Sequence, residues 1–532
     1  MLKQGKLELT WVGKYEEKKI EPRILIEDKS KSYGDPNTEN MLIHGDNLIA
    51  LKALEQDYAG KIKCIYIDPP YNTRSAFPSY DDNLEHSIWL SMMKPRLEIL
   101  WNLLSDENGV ILISINDDEC HYLKILCDEI FGRNKFVSSL IWNYEGNTDN
   151  QAKIINYHEY ILVYSKTGEI DNLNVIDPNI SKDSKLYKNE IRNTIIKNGP
   201  KNPEKTVGIP KGFPAAFEKG IIKASNVKFP KYSKDIEVCN YKTITEVEAT
   251  TGWSSRELLE KFIDNQFNSV ADSKGQETIF ELKETGAIEA VKKRQQDKGH
   301  FVSVLRGFGT TNQMRLFLSS LGLNFTYPKP VDLIAYLIEA FTNDGDWVLD
   351  SFAGSGTTAH AVMKLNSKTN TNRKFILIEL QKDNANDVII PRLKELIDGN
   401  EKINLLPHYS GYKFYELAEP LLIKNSKLPI YSINPSYSFE MMAEAICKIE
   451  GFKYNPIGNF HGKSSENRFI HVTNEFVNSK YVFSLVNELE ERQSLLIYCT
   501  KMQSDINLPD NVEIKKIPKD LLNKCSFESE GM

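Results

Sequence analysis

Short apolar runs alternate with stretches of helical hydrophobic spacing over residues 41–166. The runs predict strands, whereas Leu48, Leu51 and Leu54 recur on one face of a helix that Asn47 is expected to cap. The predicted elements are strand Met41–His44, helix Leu48–Gln56, strand Ile62–Ile67, helix Ser87–Leu104, strand Val110–Ile115, helix Tyr122–Ile130, strand Phe136–Trp142 and strand Glu159–Tyr164. This alternation predicts an α/β sheet with mostly parallel strands.

The α/β pattern stops near residue 167 and returns at residue 324. Between these points, helices are predicted at Ser254–Phe267 and Glu277–Lys293. After the return, the predicted elements are helix Val331–Phe341, strand Trp347–Leu349, helix Ala359–Leu365, strand Lys374–Ile378, helix Phe439–Ile449, helix Val482–Glu491, strand Ser494–Thr500 and strand Val512–Ile517. The sequence therefore predicts one α/β sheet that is interrupted by a long insert and followed by an α/β extension.

The strand Ile62–Ile67 runs directly into Asp68-Pro69-Pro70-Tyr71. Two consecutive prolines neither donate to a sheet nor continue a helix, so the chain must leave the sheet in a stiff loop. The Asp68 carboxylate and the Pro69 carbonyl could grip a flat exocyclic amine, and the Tyr71 ring could stack on the base that carries it. The alternative interpretation is an ordinary polar turn at the end of a strand.

A second motif, FAGSGTT at 352–358, lies between a predicted strand and a predicted helix. Gly354 and Gly356 would let the backbone turn tightly and approach a ligand. Glu379 ends the next strand, 23 residues after Gly356, near the spacing of about 20 residues that is typical of a ribose-binding carboxylate. Thr357 and its neighbours replace the third glycine of a pyrophosphate fingerprint. This favours an adenosyl ligand without a pyrophosphate, although Glu379 could also be an ordinary acid at the end of a strand.

Charge is distributed unevenly along the 532 residues. The whole chain carries a formal net charge of −7, but residues 182–234 hold thirteen Lys and Arg against four Asp and Glu, a balance of +9. Phe213, Phe217, Phe229 and Tyr232 are interleaved with these basic residues. The segment is thus a candidate for holding a phosphate backbone and reading bases, and the alternative is a solvated surface.

The remaining composition argues against several other classes of protein. The seven cysteines form no CxxC pair and no zinc-like cluster with histidine, so we expect no metal site. We expect the cysteines to be free thiols in a reducing cytosol. Since the N-terminus has no apolar signal core and no run of 18 apolar residues exists, neither secretion nor a membrane span is expected. No GxxxxGK[ST] loop occurs, and a helicase motor is therefore not expected in this chain.

The order of the motifs resembles the permuted β class of DNA amino-methyltransferases that use S-adenosyl-L-methionine. DPPY at 68–71 precedes FAGSG at 352–356, with the insert between them. GDN at 45–47, HEYILVYSK at 158–166 and YPKPVDLI at 327–334 resemble further motifs of that class. DPPYNT, the long insert and FYELAEPLL resemble most the modification (Mod) subunits of Type III restriction–modification systems.

The resemblance implies a Rossmann-like methyltransferase sheet with an inserted target-recognition domain and a C-terminal α/β extension. The implied parts are an N-terminal arm (1–40), a catalytic half (41–166), the recognition insert (167–323), a cofactor half (324–400) and the extension (401–532). It also implies methyl transfer from S-adenosyl-L-methionine to N6 of a flipped adenine. The implied catalytic residues are Asp68, Pro69, Pro70 and Tyr71. The implied cofactor-binding residues are Asp46, Lys329, Asp350, Phe352, Gly354, Gly356, Thr357 and Glu379.

Several alternatives stay open at this point. Transfer to N4 of cytosine is one, although serine more often replaces the aspartate in such relatives. A DNA-specificity module without catalysis is another. Protein-glutamine and RNA methyltransferases fit less well, since they usually carry Asn-Pro-Pro-Tyr. Trp142 and Tyr144 could wall the base pocket or belong to the core. The implied partners are double-stranded DNA, a second copy of the chain and a helicase–nuclease restriction subunit.

Overall fold

The structure, a computed structural model, describes residues 8–16, 19–73, 84–144, 156–170, 173, 175–181, 190–273, 275–293, 301–399, 410–465 and 467–527. The chain divides into two compact units. The first unit contains Met1–Pro178 and Gly299–Met532, and the second contains Asn179–Lys298. The second unit lies inside the predicted insert 167–323, and the five functional parts predicted from sequence remain predictions.

The first part of the chain supplies the elements that carry the catalytic motif. Its strands are β1 Leu25–Glu27, β2 Tyr33–Gly34, β3 Met41–His44, β4 Ile62–Ile67, β5 Val110–Ile115, β6 Phe136–Asn143 and β7 His158–Ser165. Its helices are α1 Asn47–Tyr58, α2 His86–Leu103 and α3 Cys120–Cys127, the last continued by a π-helical turn over Asp128–Gly132. The strand predictions at β3, β4 and β5 are confirmed to the residue.

The second unit is built mainly of short strands. They are β8 Glu190–Thr194, β9 Glu204–Ile209, β10 Lys219–Ile222, β11 Lys231–Tyr232, β12 Ile236–Cys239, β13 Lys242–Thr243, β14 Val247–Gly252, β15 Val270–Ala271, β16 Glu277–Leu282 and β17 Ile288–Lys293, with helix α4 Arg256–Asp264. They form the sheets β10-β12-β13, β11-β14-β9 and β15-β16-β17-β8.

The rest of the chain returns to the first unit. Its strands are β18 Val304–Leu305, β19 Trp347–Asp350, β20 Lys374–Glu379, β21 Gly411–Leu417, β22 Leu422–Lys424, β23 Tyr431–Ile433, β24 Lys453–Ile457, β25 Phe460–Lys463, β26 Arg468–Val477, β27 Ser494–Met502 and β28 Val512–Lys516. Its helices are α5 Thr311–Ser320, α6 Val331–Phe341, α7 Thr357–Thr369, α8 Ile390–Asp398, α9 Phe439–Glu450 and α10 Ser479–Val486, with a π-helical turn at Asn384–Ile389. Strands β24 to β28 form their own sheet.

One large sheet organises the first unit, in the order β1-β21-β3-β20-β19-β4-β5-β7-β6-β18, with β2 beside β21. Strands β21, β3, β20, β19, β4 and β5 run parallel, whereas β7 is antiparallel to both β5 and β6. The carboxyl ends of β3, β20, β19 and β4 therefore share one edge with the amino end of β7. The predicted α/β fold class is confirmed, and this edge is where a ligand site is expected.

Strand β4 shows why these runs are almost entirely apolar. Cys64 and Tyr66 pack into the layer with α6 and α7, while Ile65 and Ile67 pack into the opposite layer with α1, α2 and α3. A strand that is covered on both faces reads as a nearly continuous apolar run, and only Lys63 interrupts this one. The fold thus delivers Asp68 to the sheet edge directly from a strand whose other residues are all buried.

Three local predictions are wrong. Asp46, rather than Asn47, caps α1, because its carboxylate accepts hydrogen bonds from the first backbone amides of the helix. The predicted helix Glu277–Lys293 is the hairpin β16–β17: Gly286 turns at a φ of +79°, and every second residue of β16 is buried. The third is wrong only in its bounds: a helix is present, but α10 spans Ser479–Val486 instead of Val482–Glu491, since Asn478 caps its start.

The aromatic residues of the basic segment also differ from expectation. Phe213, Phe217 and Tyr232 are buried in the core of the second unit, and only Phe229 of the four is partly exposed. The pattern of alternating basic and aromatic residues reflects the β-strands of this core. The charge remains outside, since the lysines of the described part of this segment are exposed.

Candidate active site

The DPPY loop is held from both sides as it leaves β4. The indole Nε1 of the buried Trp89 on α2 donates to the Pro70 carbonyl at 2.9 Å. Asn72 follows with a φ of +59°, and its side chain bonds both the N–H and the carbonyl of Leu84 at 2.8 Å. The same Asn72 amide donates to the buried carboxylate of Glu119 at 2.6 Å. The loop is therefore positioned before any ligand arrives.

A buried network connects the loop to two other segments of the first unit. The Lys329 ammonium lies 2.9 and 2.8 Å from the two Asp68 carboxylate oxygens and 2.8 Å from the Tyr71 hydroxyl. Tyr71 in turn donates to Glu159 at 2.8 Å, and Glu159 lies 3.3 Å from the ammonium. Lys329 is only 9% exposed. The network thus brings together the residue after β4, the start of β7 and the segment before α6.

The charges of this network determine its protonation. Burial alone would lower the pKa of Lys329, but the carboxylates of Asp68 and Glu159 outweigh burial and raise it. Burial, reinforced by the same two carboxylates, raises the pKa of Tyr71 well above its ordinary value. At neutral pH the lysine is therefore a cation, and the tyrosine is a neutral phenol that can donate to Glu159.

Two aromatic side chains flank the network. The Lys329 ammonium lies 4.8 Å from the Tyr71 ring centroid and 5.9 Å from that of Trp142. Trp142 is 1% exposed and belongs to the apolar layer, and its ring is 5.2 Å from that of the half-buried Tyr144. Both positions are compatible with the wall of a base pocket, which remains a prediction.

The turn between β19 and α7 requires its glycines. Gly354 and Gly356 have φ values of +53° and +77°, in the left-handed region that favours glycine. A Cβ at Gly354 would lie 3.2 Å from the Phe325 ring, and one at Gly356 would lie 3.1 Å from Ile389. The sequence therefore produces a tight loop at the sheet edge, followed immediately by the N-terminus of α7.

The Asp350 carboxylate stabilises this turn through two hydrogen bonds. One carboxylate oxygen accepts the Phe352 N–H at 3.0 Å, and the other accepts the Thr358 hydroxyl at 2.5 Å. Burial raises the pKa of Asp350 to about 7, with smaller contributions in the same direction from the charges of Asp68 and Glu379, whereas the two hydrogen bonds lower it. Phe352 itself is half-buried against the apolar layer that contains α1 and α2.

Glu379 lies at the end of β20 and is 1% exposed. One of its oxygens accepts the Gly354 N–H at 2.8 Å. The other accepts the Gln381 N–H at 3.0 Å and the Asn384 side-chain amide at 3.2 Å. The carboxylate predicted to bind a ribose thus also fixes the glycine loop in place.

The GDN turn after β3 reaches the same loop. The Asn47 side chain donates to the Ser351 carbonyl at 2.8 Å, and its oxygen accepts Arg96 Nε at 2.6 Å. The same guanidinium lies 3.3 Å from Asp46. Asp46 is therefore engaged in capping α1 and in pairing with Arg96 at the edge of the sheet.

Arg392 on α8 is a residue that the sequence did not indicate. It is fully buried and donates to the Ser355 carbonyl at 2.8 Å and to His360 Nδ1 at 3.0 Å. Burial lowers the pKa of Arg392 to about 9, and burial followed by the Arg392 charge lowers the pKa of His360 well below its ordinary value. The neutral imidazole can therefore accept this hydrogen bond. No motif marks an arginine within an amphipathic helix as a support of a loop.

Thr357 links the two halves of the site. Its hydroxyl donates to the backbone carbonyl of Lys329 at 3.3 Å. The backbone of Lys329 thus touches the glycine loop, while its ammonium touches Asp68. Among the residues that the structure describes, no group of three or more His, Cys, Asp or Glu could hold a metal.

The glycine loop and the buried acid lie at the edge of an α/β sheet where folds of this class bind nucleotide-type cofactors, and the DPPY loop lies at the same edge. The family model described as DNA methylase (N6_N4_Mtase) matches residues 62–389, more than half of the chain. The chain belongs to this DNA methylase family.

Two relatives are similar to this chain over most of its length. The chain is 33% identical to the Type III restriction–modification enzyme EcoPI Mod subunit of Escherichia phage P1, over 70% of this chain and 63% of that protein. It is 29% identical to the EcoP15I Mod subunit of Escherichia coli, over 77% of this chain and 71% of that protein. The chain thus spans less than two thirds of the EcoPI relative. The PvuII DNA methyltransferase (cytosine-N4-specific) is a more distant structural match, with 11% identity, coverage of 73% and 96%, and a TM-score of 0.32.

Proposed function

We propose that this chain is a site-specific DNA methyltransferase that transfers a methyl group from S-adenosyl-L-methionine to N6 of a flipped adenine in duplex DNA. The observation that carries this proposal is the position of Asp68. Asp68 directly follows β4, and its carboxylate lies at the sheet edge where β19 and β20 end in the glycine loop and Glu379. A hydrogen-bond acceptor for an amine and a cofactor-type loop are thus adjacent at one edge.

The Asp68 carboxylate is suited to handle an amine. It already binds an ammonium through both oxygens, so N–H donors can reach it. The lone pair of an aromatic amine is delocalised into the ring, and the amine is therefore a poor nucleophile. Hydrogen bonds from the amine to Asp68 and to the Pro69 carbonyl would favour a tetrahedral nitrogen and free that lone pair, while Tyr71 stacks on the base. The proton released would pass to Asp68 or to water.

The residues of the second motif fit an adenosyl cofactor. Gly354 and Gly356 let the backbone approach a ligand, Phe352 offers an aromatic surface, and Glu379 presents a buried carboxylate for ribose hydroxyls. Asp350, Thr357, Asp46 and the backbone of Lys329 would complete the surroundings of the methionine end. Bound S-adenosyl-L-methionine would supply an electrophilic methyl group on sulfonium. The chain's own task is to orient the amine and to exclude water.

Recognition of DNA is assigned to the insert. The exposed lysines of residues 182–234 give this segment a local excess of positive surface charge in an acidic protein, and two of them, Lys223 and Lys231, also pair with carboxylates. These exposed lysines are Lys197, Lys201, Lys205, Lys211, Lys219, Lys223, Lys228, Lys231 and Lys234. Contacts from lysine to phosphate position a protein on DNA and weaken with added salt, so binding through this surface should be strongly salt-dependent.

The names of the relatives support a role as a modification subunit. In that role the chain would act as a homodimer in the cytoplasm, beside a helicase–nuclease restriction subunit. A light-scattering mass of the full chain, alone and mixed with such a subunit, tests both associations. Among the described residues, none of the helices is long and apolar enough to cross a membrane.

Long-read methylation sequencing of host DNA that expresses the chain tests the proposed reaction. The expected result is N6-methyladenine at one short motif, which is lost in Asp68→Ala and retained in Asp387→Ala, a change at an exposed aspartate. Methylation at cytosine N4 would correct the target base. If no mark appears and the purified chain does not bind S-adenosyl-L-methionine, the catalytic proposal is wrong and a specificity module remains.

A further inference from the structure

We propose that the Lys329 ammonium holds the place of the target amine on Asp68 until the base enters, and that it then moves to Glu159. This inference rests on the proposed function and adds two residues to it. Lys329 is a place-holder, and Glu159 is the positioning residue that receives it. Neither role follows from the DPPY motif itself.

The first observation is competition for one acceptor. An ammonium has three N–H donors and no acceptor, so it satisfies the Asp68 carboxylate as an exocyclic amine would. Here it lies within 2.9 Å of both Asp68 oxygens. Asp68 stands on a stiff prolyl loop, whereas a lysine stem has four rotatable carbons. Because both donors cannot occupy the same oxygens, entry of a base must displace the lysine.

The second observation is that a second carboxylate, which can bind the displaced ammonium, already lies beside it. Glu159 lies 3.3 Å from the ammonium, and the Tyr71 hydroxyl lies 2.8 Å from it. A buried cation that loses its only carboxylate is strongly destabilised. With Glu159 present, the ammonium keeps a counter-charge after it leaves Asp68. A small movement therefore exchanges one carboxylate for the other.

The arrangement also suits the formal charge of the site. Asp68, Glu159 and Lys329 together carry a formal charge of −1. Replacing Glu159 by glutamine leaves the ammonium with Asp68 as its only carboxylate in the network, so the lysine should block the base. Replacing Lys329 by methionine as well removes the blocking group and restores the formal charge of −1. The carboxamide oxygen that Glu159→Gln introduces could still accept the Tyr71 hydroxyl in both variants.

The test measures base entry directly, with the full chain and sinefungin, a non-reactive analogue of the cofactor. When adenine leaves the duplex, the unpaired thymine opposite it becomes reactive to permanganate. Oxidation of that thymine is measured for wild type, Glu159→Gln, Lys329→Met and Lys329→Met/Glu159→Gln on the motif found by methylation sequencing. We expect Glu159→Gln to lower oxidation at least tenfold, and both variants with Lys329→Met to match or exceed wild type.

Rescue by the second substitution is the decisive result. A purely structural lysine would make the double variant worse than Glu159→Gln, and that outcome would overturn the inference. Unchanged oxidation in Glu159→Gln would overturn it as well. Thermal unfolding and sinefungin binding confirm that each variant is folded.

Lys329→Arg provides an independent variant if a methionine variant fails to fold. A guanidinium binds a carboxylate through two parallel hydrogen bonds and should hold Asp68 more firmly than an ammonium does. Oxidation below wild type is expected, and oxidation equal to wild type contradicts the place-holder role. The proposed function has a separate readout: if wild type methylates DNA but the rescue is absent, only this inference fails.

Discussion

The buried carboxylate beneath the glycine loop makes stability depend on pH in a defined direction. Burial raises the pKa of Asp350 from its ordinary value of 3.8 to about 7 in the folded protein. Between these values the folded chain keeps a proton that the unfolded chain releases. Folding therefore becomes less favourable as pH rises through this window, and no further change comes from this group above about pH 7.

The size of the effect follows from the shift. A change of one pKa unit corresponds to about 1.36 kcal/mol, so the whole window amounts to about 4 kcal/mol, of which about 3 kcal/mol lies above pH 5. Asp350→Asn removes the titration and keeps an oxygen for the Phe352 N–H. In a unit of roughly 400 residues, about 3 kcal/mol shifts the thermal midpoint by about 3 °C.

The assay compares thermal midpoints of wild type and Asp350→Asn from pH 5 to pH 8. The variant should gain about 3 °C relative to wild type as pH rises, since groups distant from Asp350 contribute equally to both proteins. Asp387→Asn, at an exposed position, is the control and should show a constant difference. If the Asp350→Asn difference is also constant, Asp350 does not titrate in this range and the reasoning is wrong.

The other predictions concern the same edge of the sheet. Gly354→Ala should lose about 1 kcal/mol of stability and bind sinefungin about tenfold more weakly. The control Gly345→Ala, at a φ of +80° with open space around it, should lose stability alone, and calorimetry measures both quantities. Arg392→Met should weaken sinefungin binding, because it removes the donor to the Ser355 carbonyl. The thermal midpoint should change little, because a buried charge is removed as well. An unchanged dissociation constant for sinefungin would contradict this prediction. Tyr71→Phe should slow methyl transfer about tenfold through loss of a hydrogen bond to charged groups, and a wild-type single-turnover rate would refute it.

The elements around the two motifs could be predicted because their strands are mostly apolar on both faces and end abruptly. Ile62–Ile67 stops at two prolines, and Lys374–Glu379 stops at a buried acid. The prediction failed for Glu277–Lys293, where a helix was predicted and the structure has a hairpin whose first strand, β16, alternates buried and less buried residues. In that segment the turn at Gly286 was the signal to use.

Contacts between residues that are distant in the chain could not be predicted from the sequence. Lys329 was expected among the cofactor-binding residues, yet its ammonium binds Asp68, 261 positions earlier. Glu159 was noted only as part of a strand, and Arg392 has no motif at all. A sequence pattern reports which residues share a strand or a helix. Which side chains of different elements meet depends on strand order, and that order emerged only from the folded sheet.

Every contact described for the candidate site joins residues of the first unit, although Asp68 and Gly354 lie on opposite sides of Asn179–Lys298 in the sequence. A single contiguous stretch of the gene therefore encodes the second unit. Recombination between related genes could exchange that stretch in one event and leave the catalytic geometry untouched. If the insert recognises DNA as proposed, a new DNA specificity would then arise within a single generation, without a series of intermediates whose chemistry is impaired.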